Sequence, residues 1–525
     1  MIRSGATVSC EGHQAQLIES QRKRSMVSTS SRADLLQMDR QTQRNAVDYI
    51  NCETRRKVLL LSSSLLTDRM MIYTKFLDVL SGSVDVKVWA TSAGHPRSQA
   101  WWSNSRAVVE TFPEVRPFKQ YPHNYLRRLN EYVWDFRDRP PSRLSMMRHI
   151  RDKTQSLHVR ALKLPARALA LMKAEKPLED RLEKLLLSYP RSLEAVERLT
   201  ASLPDVLLTT GPFQFEQPGV VAAAKNLGIR TLALIPSWDN PSTKSRMVLK
   251  YDGYIVWSEQ TKRDLHQFYP DTRRVPTYVV GAPQFDIFFQ ERFLQSRAVF
   301  CHTQGLRCEL PIILFAVGSP NVVQERYGAL DLAAHVAEGR LGDVQLIVRP
   351  HPIHDNANMA ALFGKFGPRV SLQRTAEAGA ALTARSQDER QIVEWVNTFR
   401  HADVVVNLSS TVAIDAAIFD RPVVNLDYDP EPGQPRQALV KEVNHLWTHF
   451  KPVAESGGVW LTGSAEETLE AVKTYLAHPE LHREKRRWIA EYVCGYLDGR
   501  CGERMAEAII DFVHHHPKGR ARRGN

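Results

Sequence analysis

Cysteine is scarce in this chain. Six residues in 525, at positions 10, 52, 301, 308, 494 and 501, are too sparse for the disulfide framework of a secreted domain. No CxxC pair occurs, and the two six-residue gaps (Cys301 to Cys308, Cys494 to Cys501) fit no common zinc spacing. Reduced thiols in a cytosolic protein are the expectation. No run of 18 apolar residues is present, so no ordinary transmembrane helix is expected. The stretch from Met1 to Gln21 mixes Arg, Glu, His and Gln and lacks the apolar core of a signal peptide. Acidic residues are also in deficit, 58 against 70 Lys and Arg, which gives a net charge of +12. That balance favours anionic partners (nucleotides, phosphates, acidic lipid surfaces or nucleic acid) without choosing among them. Ordinary counts of Gly and Pro, 26 and 29, exclude a collagen-like or low-complexity chain, and 43% hydrophobic residues exclude wholesale disorder.

What is present is a series of short apolar runs of strand length. In the first half these are 57–62, 84–89, 205–210, 230–235, 253–257 and 277–281, and in the second 311–317, 344–349, 369–372, 403–407 and 422–426. Near-continuous apolar character is how strands covered on both faces look. Helix-length segments lie between them, among them 219–227, 259–268, 321–338 and 411–419, so βα units and parallel sheets are predicted. The predicted class is α/β, with two Rossmann-like doubly wound domains facing across a cleft. Predicted boundaries are a disordered segment 1–55, a first domain 56–290 and a second domain 291–485. A C-terminal helix, 486–513, is expected to cross back to the first domain, ahead of a basic tail 514–525 whose adjacent histidines read as solvated. Residues 115–200 break the pattern with a basic helical insertion. From Arg143 to Lys173 the cations Arg143, Arg148, Arg151, Lys153, Arg160, Lys163, Arg167 and Lys173 stand against the single acid Asp152. It reads either as a solvated insertion or as an arm for a membrane surface or acceptor.

Phosphate handling is the clearest chemical signal. The segment from Asn407 to Val424 runs from a strand through Ser409, Ser410 and Thr411 into a helix, whose N–H groups and dipole suit a pyrophosphate. Simple N-capping by these hydroxyls is the plainer reading of the same residues. Asp415, one turn on, is placed to reach a ribose or sugar hydroxyl. Arg349-Pro-His-Pro352 closes another strand, and Arg349 and His351 can both donate to phosphate. Gly318-Ser319-Pro-Asn321 follows the first strand of the second half, where backbone amides can approach a diphosphate. In the first half, Trp238-Asp239-Asn240 forms a turn between prolines. Asp239 is either a general base toward an acceptor hydroxyl, if burial raises its pKa, or an Asx-turn residue. Lys244 is a candidate phosphate ligand or a surface residue, and the turn Gly281 to Asp286 reads as a hinge. There is no GxGxxG, P-loop, HExxH or GxSxG motif, so neither a metal nor a nicotinamide cofactor is expected.

In this order, the stretch from about 200 to 480 resembles two-Rossmann (GT-B) transferases of surface-polysaccharide assembly, especially the CDP-glycerol glycerophosphotransferase-like group. That group has Trp-His-Gly-Thr-Pro-x-Lys after a strand, then Gly-x-Pro-x-x-Asp, a His-Pro pair, and Asp…Ser-Ser…Asp before a Pro-Val strand. The matching stretches here are Trp238 to Lys244, Gly281 to Asp286, Arg349 to Pro352, and Asp403 with Ser409, Ser410 and Asp415. The resemblance implies that the second domain binds a nucleotide-activated donor and the first takes a glycan or lipid-linked acceptor. Where the group has a catalytic His, this chain has Asp239. An aspartate base is common among inverting GT-B glycosyltransferases, so the resemblance leans toward sugar transfer, inverting and metal-independent, with the nucleotide sugar as co-substrate and no cofactor. Trp238 and Asn240 would support the acceptor side. The expected place is the cytoplasm, peripheral at the inner face of the membrane. Transfer of a polyol phosphate, sugar-nucleotide 2-epimerisation and non-catalytic nucleotide binding are the alternatives. The charge follows no recognised nucleic-acid module, so nucleic acid is not the expected partner.

Overall fold

The computed structural model describes residues 55–103, 105–116, 123–188, 192–214, 216–373 and 388–515. The predicted disordered segment, up to residue 54, and the basic tail from residue 516 lie outside the described residues. From Lys57 onward the described chain packs as one compact unit.

Two parallel sheets organise it. The first contains β1 (Lys57–Ser62), β2 (Asp85–Ala90), β3 (Val108–Thr111), β4 (Val206–Thr209), β5 (Arg230–Leu234), β6 (Gly253–Val256) and β7 (Thr277–Val279), in the order β3-β2-β1-β4-β5-β6-β7. The second contains β8 (Ile312–Val317), β9 (Gln345–Pro350), β10 (Val370–Leu372), β11 (Val404–Asn407), β12 (Val423–Leu426) and β13 (Trp460–Thr462), in the order β10-β9-β8-β11-β12-β13. Both are doubly wound, with the strand order reversing beside β1 and beside β8.

The reason lies in the apolar runs. In β1, Val58 and Leu60 enter one core cluster while Leu59 and Leu61 enter another, on opposite faces. In β8, Ile312 and Leu314 face one cluster and Ile313, Phe315 and Val317 the other. Both faces are covered, so every position is apolar. The sequence runs missed β3 and β13. These are edge strands, largely half-buried or exposed, so their residues (Val-Val-Glu-Thr, Trp-Leu-Thr) carry no continuous apolar signal. The helix expected over 321–338 begins only at Arg326, because Asn321 to Glu325 form the loop that lines the site.

The chain's last described helix, Cys501–His515, packs on the first sheet. Met505, Ile509 and Phe512 join Leu60, Leu232 and Ile255 in one cluster. The Arg230 guanidinium donates to the Phe512 and Val513 carbonyls at 2.9 and 3.0 Å. The turn Gly281 to Asp286 anchors the start of this helix. Asp286 accepts from the Cys501 and Gly502 N–H groups at 3.0 and 2.7 Å, and burial pushes its carboxyl up to about 6. Gly281 sits at φ +94°, and a Cβ there would lie 2.3 Å from Cys501 Sγ. That turn is clamped from outside rather than free to hinge.

The insertion is helical, and its charge is not simply solvated. Arg143 is buried in an ion pair with Asp135 at 2.8 Å, and Arg246 pairs with Glu179 at 2.6 Å beneath the Trp134 ring. Arg151 donates to the Thr243 carbonyl at 2.9 Å. The insertion also touches the second half: Ser142 accepts from the Thr448 N–H at 2.8 Å, and Arg148 pairs with Glu442 at 3.2 Å. Among the described residues no helix is long and apolar enough to cross a membrane.

Candidate functional site

A cavity of about 450 Å³ opens at the carboxyl ends of β8, β9 and β11, where the strand order of the second sheet reverses. That is where open α/β sheets hold ligands, and the volume suits a small organic molecule. Ser319, Arg349, His351, Ser409, Ser410, Thr411 and Asp415 all line it. Neighbouring strands explain the convergence, since β9 and β11 flank β8 and deliver their loops to the same mouth.

Arg349 donates to Gln373 Oε1, and burial lowers its pKa despite the opposing pull of Glu394 and Asp415. Ser409 occupies a left-handed conformation, φ +43°, and its hydroxyl is held by Asn444 Oδ1. Asn444 in turn donates to Asp427 Oδ1 at 2.9 Å, and Asp427 is also held by Lys441 at 2.6 Å. The helix that follows, Val412–Ile418, is short, and its first-turn N–H groups already have acceptors. Val412 N–H donates to Ser410 Oγ at 3.2 Å, Ala413 to the Ser410 carbonyl, and Ile414 and Asp415 to the Thr411 carbonyl. Ser410 and Thr411 therefore take up the first-turn amides that the sequence pattern assigns to a pyrophosphate. Ser409, Ser410 and Thr411 line the cavity, with the Ser409 hydroxyl already given to Asn444.

Asp415 is buried, with Oδ1 lacking a hydrogen-bond partner among the described residues. Burial pushes its carboxyl up to about 8, against the pull of Arg69 and Arg349, so it carries a proton at neutral pH rather than the expected charge. Glu325, which belongs to no motif, is similar. Burial raises it to about 8 although it accepts from the Leu408 N–H at 3.3 Å. Its carboxyl crosses the end of β8 so closely that a Cβ on Gly318 would lie 2.2 Å from Oε1. Trp395, Phe399 and Trp447 complete an apolar wall.

Arg69 is the other residue that sequence reasoning missed. It lies on helix Leu65–Tyr73, directly after β1, and crosses to the second half, where its guanidinium sits 4.2 Å from the Trp395 ring centroid. Burial lowers it to about 10, still charged at neutral pH, and its Nε has no partner among the described residues. With both acids protonated, Arg349 leaves this end of the cavity net positive, and Arg69, stacked on Trp395 without itself lining the cavity, adds to the positive field from behind that wall.

Asp239, Trp238, Asn240 and Lys244 do not line the cavity. Asp239 is half-buried and accepts from Ser237 at 2.5 Å, Asn240 at 3.0 Å and Thr243 at 2.8 Å. Burial works to raise its carboxyl, but His449, Lys244 and these hydrogen bonds outweigh it and hold it below the ordinary 3.8. The condition that burial raise its pKa is not met. His449, from the second half, is buried and pushed down to about 4, so it is neutral at pH 7; its Nδ1 lies 3.2 Å from Ser242 Oγ. Trp238 packs against it with ring centroids 5.0 Å apart. This turn is thus a seam between the two halves. Lys244 is exposed. Asp403 lies at the opposite end of β11, where it accepts from the Ile312 N–H at 2.8 Å and pairs with Arg297 at 2.9 Å, so it is structural. Among the described residues no group of three or more His, Cys, Asp or Glu is placed to hold a metal ion.

The architecture is similar to that of several solved structures. One is a UDP-N-acetylglucosamine 2-epimerase, 14% identical, TM-score 0.50, with 89% of this chain and 98% of that chain covered. Another is the Neisseria meningitidis UDP-GlcNAc 2-epimerase bound to UDP-GlcNAc, 13% identical, TM-score 0.48, covering 87% and 100%. A third is a glycosyltransferase from Rickettsia africae ESF-5, 9% identical, TM-score 0.48, covering 88% and 99%. No protein-family model and no curated protein sequence matches the chain. The fold is the two-domain GT-B type. At these identities the likeness carries the fold, and not the finer tie to CDP-glycerol glycerophosphotransferases.

Proposed function

We propose that this protein is a nucleotide-sugar-dependent glycosyltransferase whose donor diphosphate occupies the cavity of the second sheet. The observation that carries the reading is that Arg349, Ser319 and the Ser409–Thr411 turn line one cavity, with Arg69 of the first half stacked on Trp395 of its wall. Two half-buried guanidinium groups, with the Ser319, Ser410 and Thr411 hydroxyls, suit the charge that builds on a departing diphosphate. In the transfer, the bond from the sugar's anomeric carbon to the phosphate oxygen breaks and its electron pair leaves with the nucleotide. A bond from the acceptor oxygen forms, and the acceptor's proton passes to a base. Asp239, held by three donors outside the cavity, serves in this reading to shape the seam with His449. In this reading the base is Asp415 in its ionised form. With its carboxyl raised to about 8 and its Oδ1 lacking a hydrogen-bond partner among the described residues, it takes the acceptor's proton once its own has been released, so transfer should speed up as pH rises toward 8. Arg69 couples closure of the two halves to donor binding.

A second reading, 2-epimerisation of the sugar nucleotide, is favoured by one observation. The titratable acids poised near neutrality, Asp415 and Glu325, both lie in the donor cavity itself rather than on the acceptor side.

Melting shifts against UDP, GDP, dTDP, CDP, CMP and ADP test the site. A ligand at a hundred times its dissociation constant adds about 2.7 kcal/mol to the folded state. Stabilisation by UDP, GDP or dTDP is expected, with Arg349→Met weakening binding by about 10- to 100-fold. CDP as the sole stabiliser would instead favour polyol-phosphate transfer. No shift with any nucleotide, or an Arg349→Met variant that binds like wild type, overturns the reading. Incubation with donor alone separates the two reactions: an epimerised sugar needs no acceptor.

A further inference from the structure

The helical stretch formed by Leu157–Ala161 and Lys163–Leu171 is continuous but for one tightened turn at Leu162, and it has two apolar faces. One is spoken for: Ala166 and Ala170, with Leu162 and Leu169, pack against Tyr132, Val133 and Phe136 of helix His123–Asp138. On the opposite side, Leu157, Leu164 and Leu171 recur every seven residues and share one stripe with Ala161 and Ala168. Leu157, Leu164, Leu171 and the adjoining Met172 are exposed to 76%, 70%, 86% and 74%, the four most exposed large apolar side chains among the described residues. Single exposed leucines need no explanation, but three in one stripe with a methionine adjoining do.

Charge borders this stripe on one side. Arg160 and Arg167 follow Leu157 and Leu164 at three-residue spacing, and Lys153 and Lys173 stand at the two ends, all four exposed. Asp152, the single acid between Pro141 and Ala174, is paired with Lys163. Among the described residues none of Lys153, Arg160, Arg167 and Lys173 sits in an ion pair. Arg160 donates to the Asp152 carbonyl at 3.4 Å, and Arg167 lies 5.2 Å from the Phe136 ring, contacts that leave both charges in place.

We propose that this outer face docks the protein on an anionic lipid surface, the leucines entering the headgroup boundary and the flanking cations meeting lipid phosphates. The pattern favours lipid over other occupants. In a two-fold contact with a second copy, the arginine rows would be driven together. For nucleic acid, three leucines in the centre of the face offer nothing to a phosphate. The face shares no residue with the cavity, so the inference stands apart from the proposed reaction.

The test is sedimentation of the full-length protein with vesicles of phosphatidylcholine alone and with about 30% phosphatidylglycerol. Wild type is expected to bind the anionic vesicles preferentially and to release as salt rises. Leu164→Gln with Leu171→Gln should lower binding at least about tenfold. Arg160→Gln with Arg167→Gln should lower it by roughly 30-fold at low salt. Both pairs sit on the solvent face and should keep the wild-type melting temperature; should one pair fail to fold, the other decides. Equal or absent binding of wild type to both vesicles overturns the inference. So does undiminished binding by a folded variant pair, which would move the effect to the basic residues between Lys518 and Arg523. Dimerisation without lipid that the leucine pair abolishes would make the face a contact between copies and also overturns it.

Discussion

Replacing Asp415 by Asn probes the least ordinary feature of the cavity. Burial raises this carboxyl from 3.8 to about 8, although Arg69 and Arg349 pull the other way. In the unfolded chain the same group releases its proton near its ordinary pKa. Between about pH 4 and pH 8 the folded protein therefore holds a proton that the unfolded chain does not. The contribution of that proton to stability is fully present below about pH 4, declines by about 1.4 kcal/mol per pH unit, and is gone near pH 8. Asn is close in shape to the protonated acid and does not titrate. The unfolding free energy of Asp415→Asn minus that of wild type should thus rise by about 4 kcal/mol from pH 5 to pH 8, then level off. Urea unfolding of both proteins across that range, followed by tryptophan fluorescence, measures the difference directly. A difference that does not change with pH refutes the reasoning, because it would mean that the carboxylate is ionised and paired in the folded state.

Two further substitutions test what holds the returning helix on the first sheet and the insertion in place. Gly281→Ala should destabilise by about 2–4 kcal/mol, from the positive φ and the collision with Cys501 Sγ, and adding Cys501→Ala should recover only the steric part. Arg246→Met should destabilise by about 3–5 kcal/mol, because Glu179 is left as a buried, unpaired charge, and Arg246→Met combined with Glu179→Leu should recover most of it. Thermal midpoints of the single and double variants check both.

Much of this architecture was legible in the residues because strands covered on two faces must be apolar at every position. β1, β4, β8 and β11 announce themselves for that reason, whereas edge strands β3 and β13 do not. Seven of the residues that line the cavity could be named because a doubly wound sheet sends the loops after neighbouring strands to one mouth, so local motifs suffice to place Arg349, His351, Ser319, the Ser409–Thr411 turn and Asp415 there. Arg69, Glu325 and Trp395 sit within helices or a plain loop, and only the packing of one half on the other gives them a role. Asp239 shows the opposite failure. Its Trp-Asp-Asn turn has the chemistry of a base, but neighbouring hydroxyls and an amide, adjacent in sequence, occupy its oxygens. Asp403 was drawn in by motif order although it stands at the far end of its strand.

The return of helix Cys501–His515 to the first sheet sets a timetable for synthesis. The strands of that sheet are complete once β7 has been made, yet part of the face presented by Leu60, Leu232 and Ile255 stays bare until Met505, Ile509 and Phe512 arrive more than two hundred residues later. At 5–20 residues per second, the ribosome leaves that surface uncovered for roughly 10–50 s. A nascent chain in this state carries a finished sheet with an unfinished coat, and it is in that interval that a chaperone has something to hold.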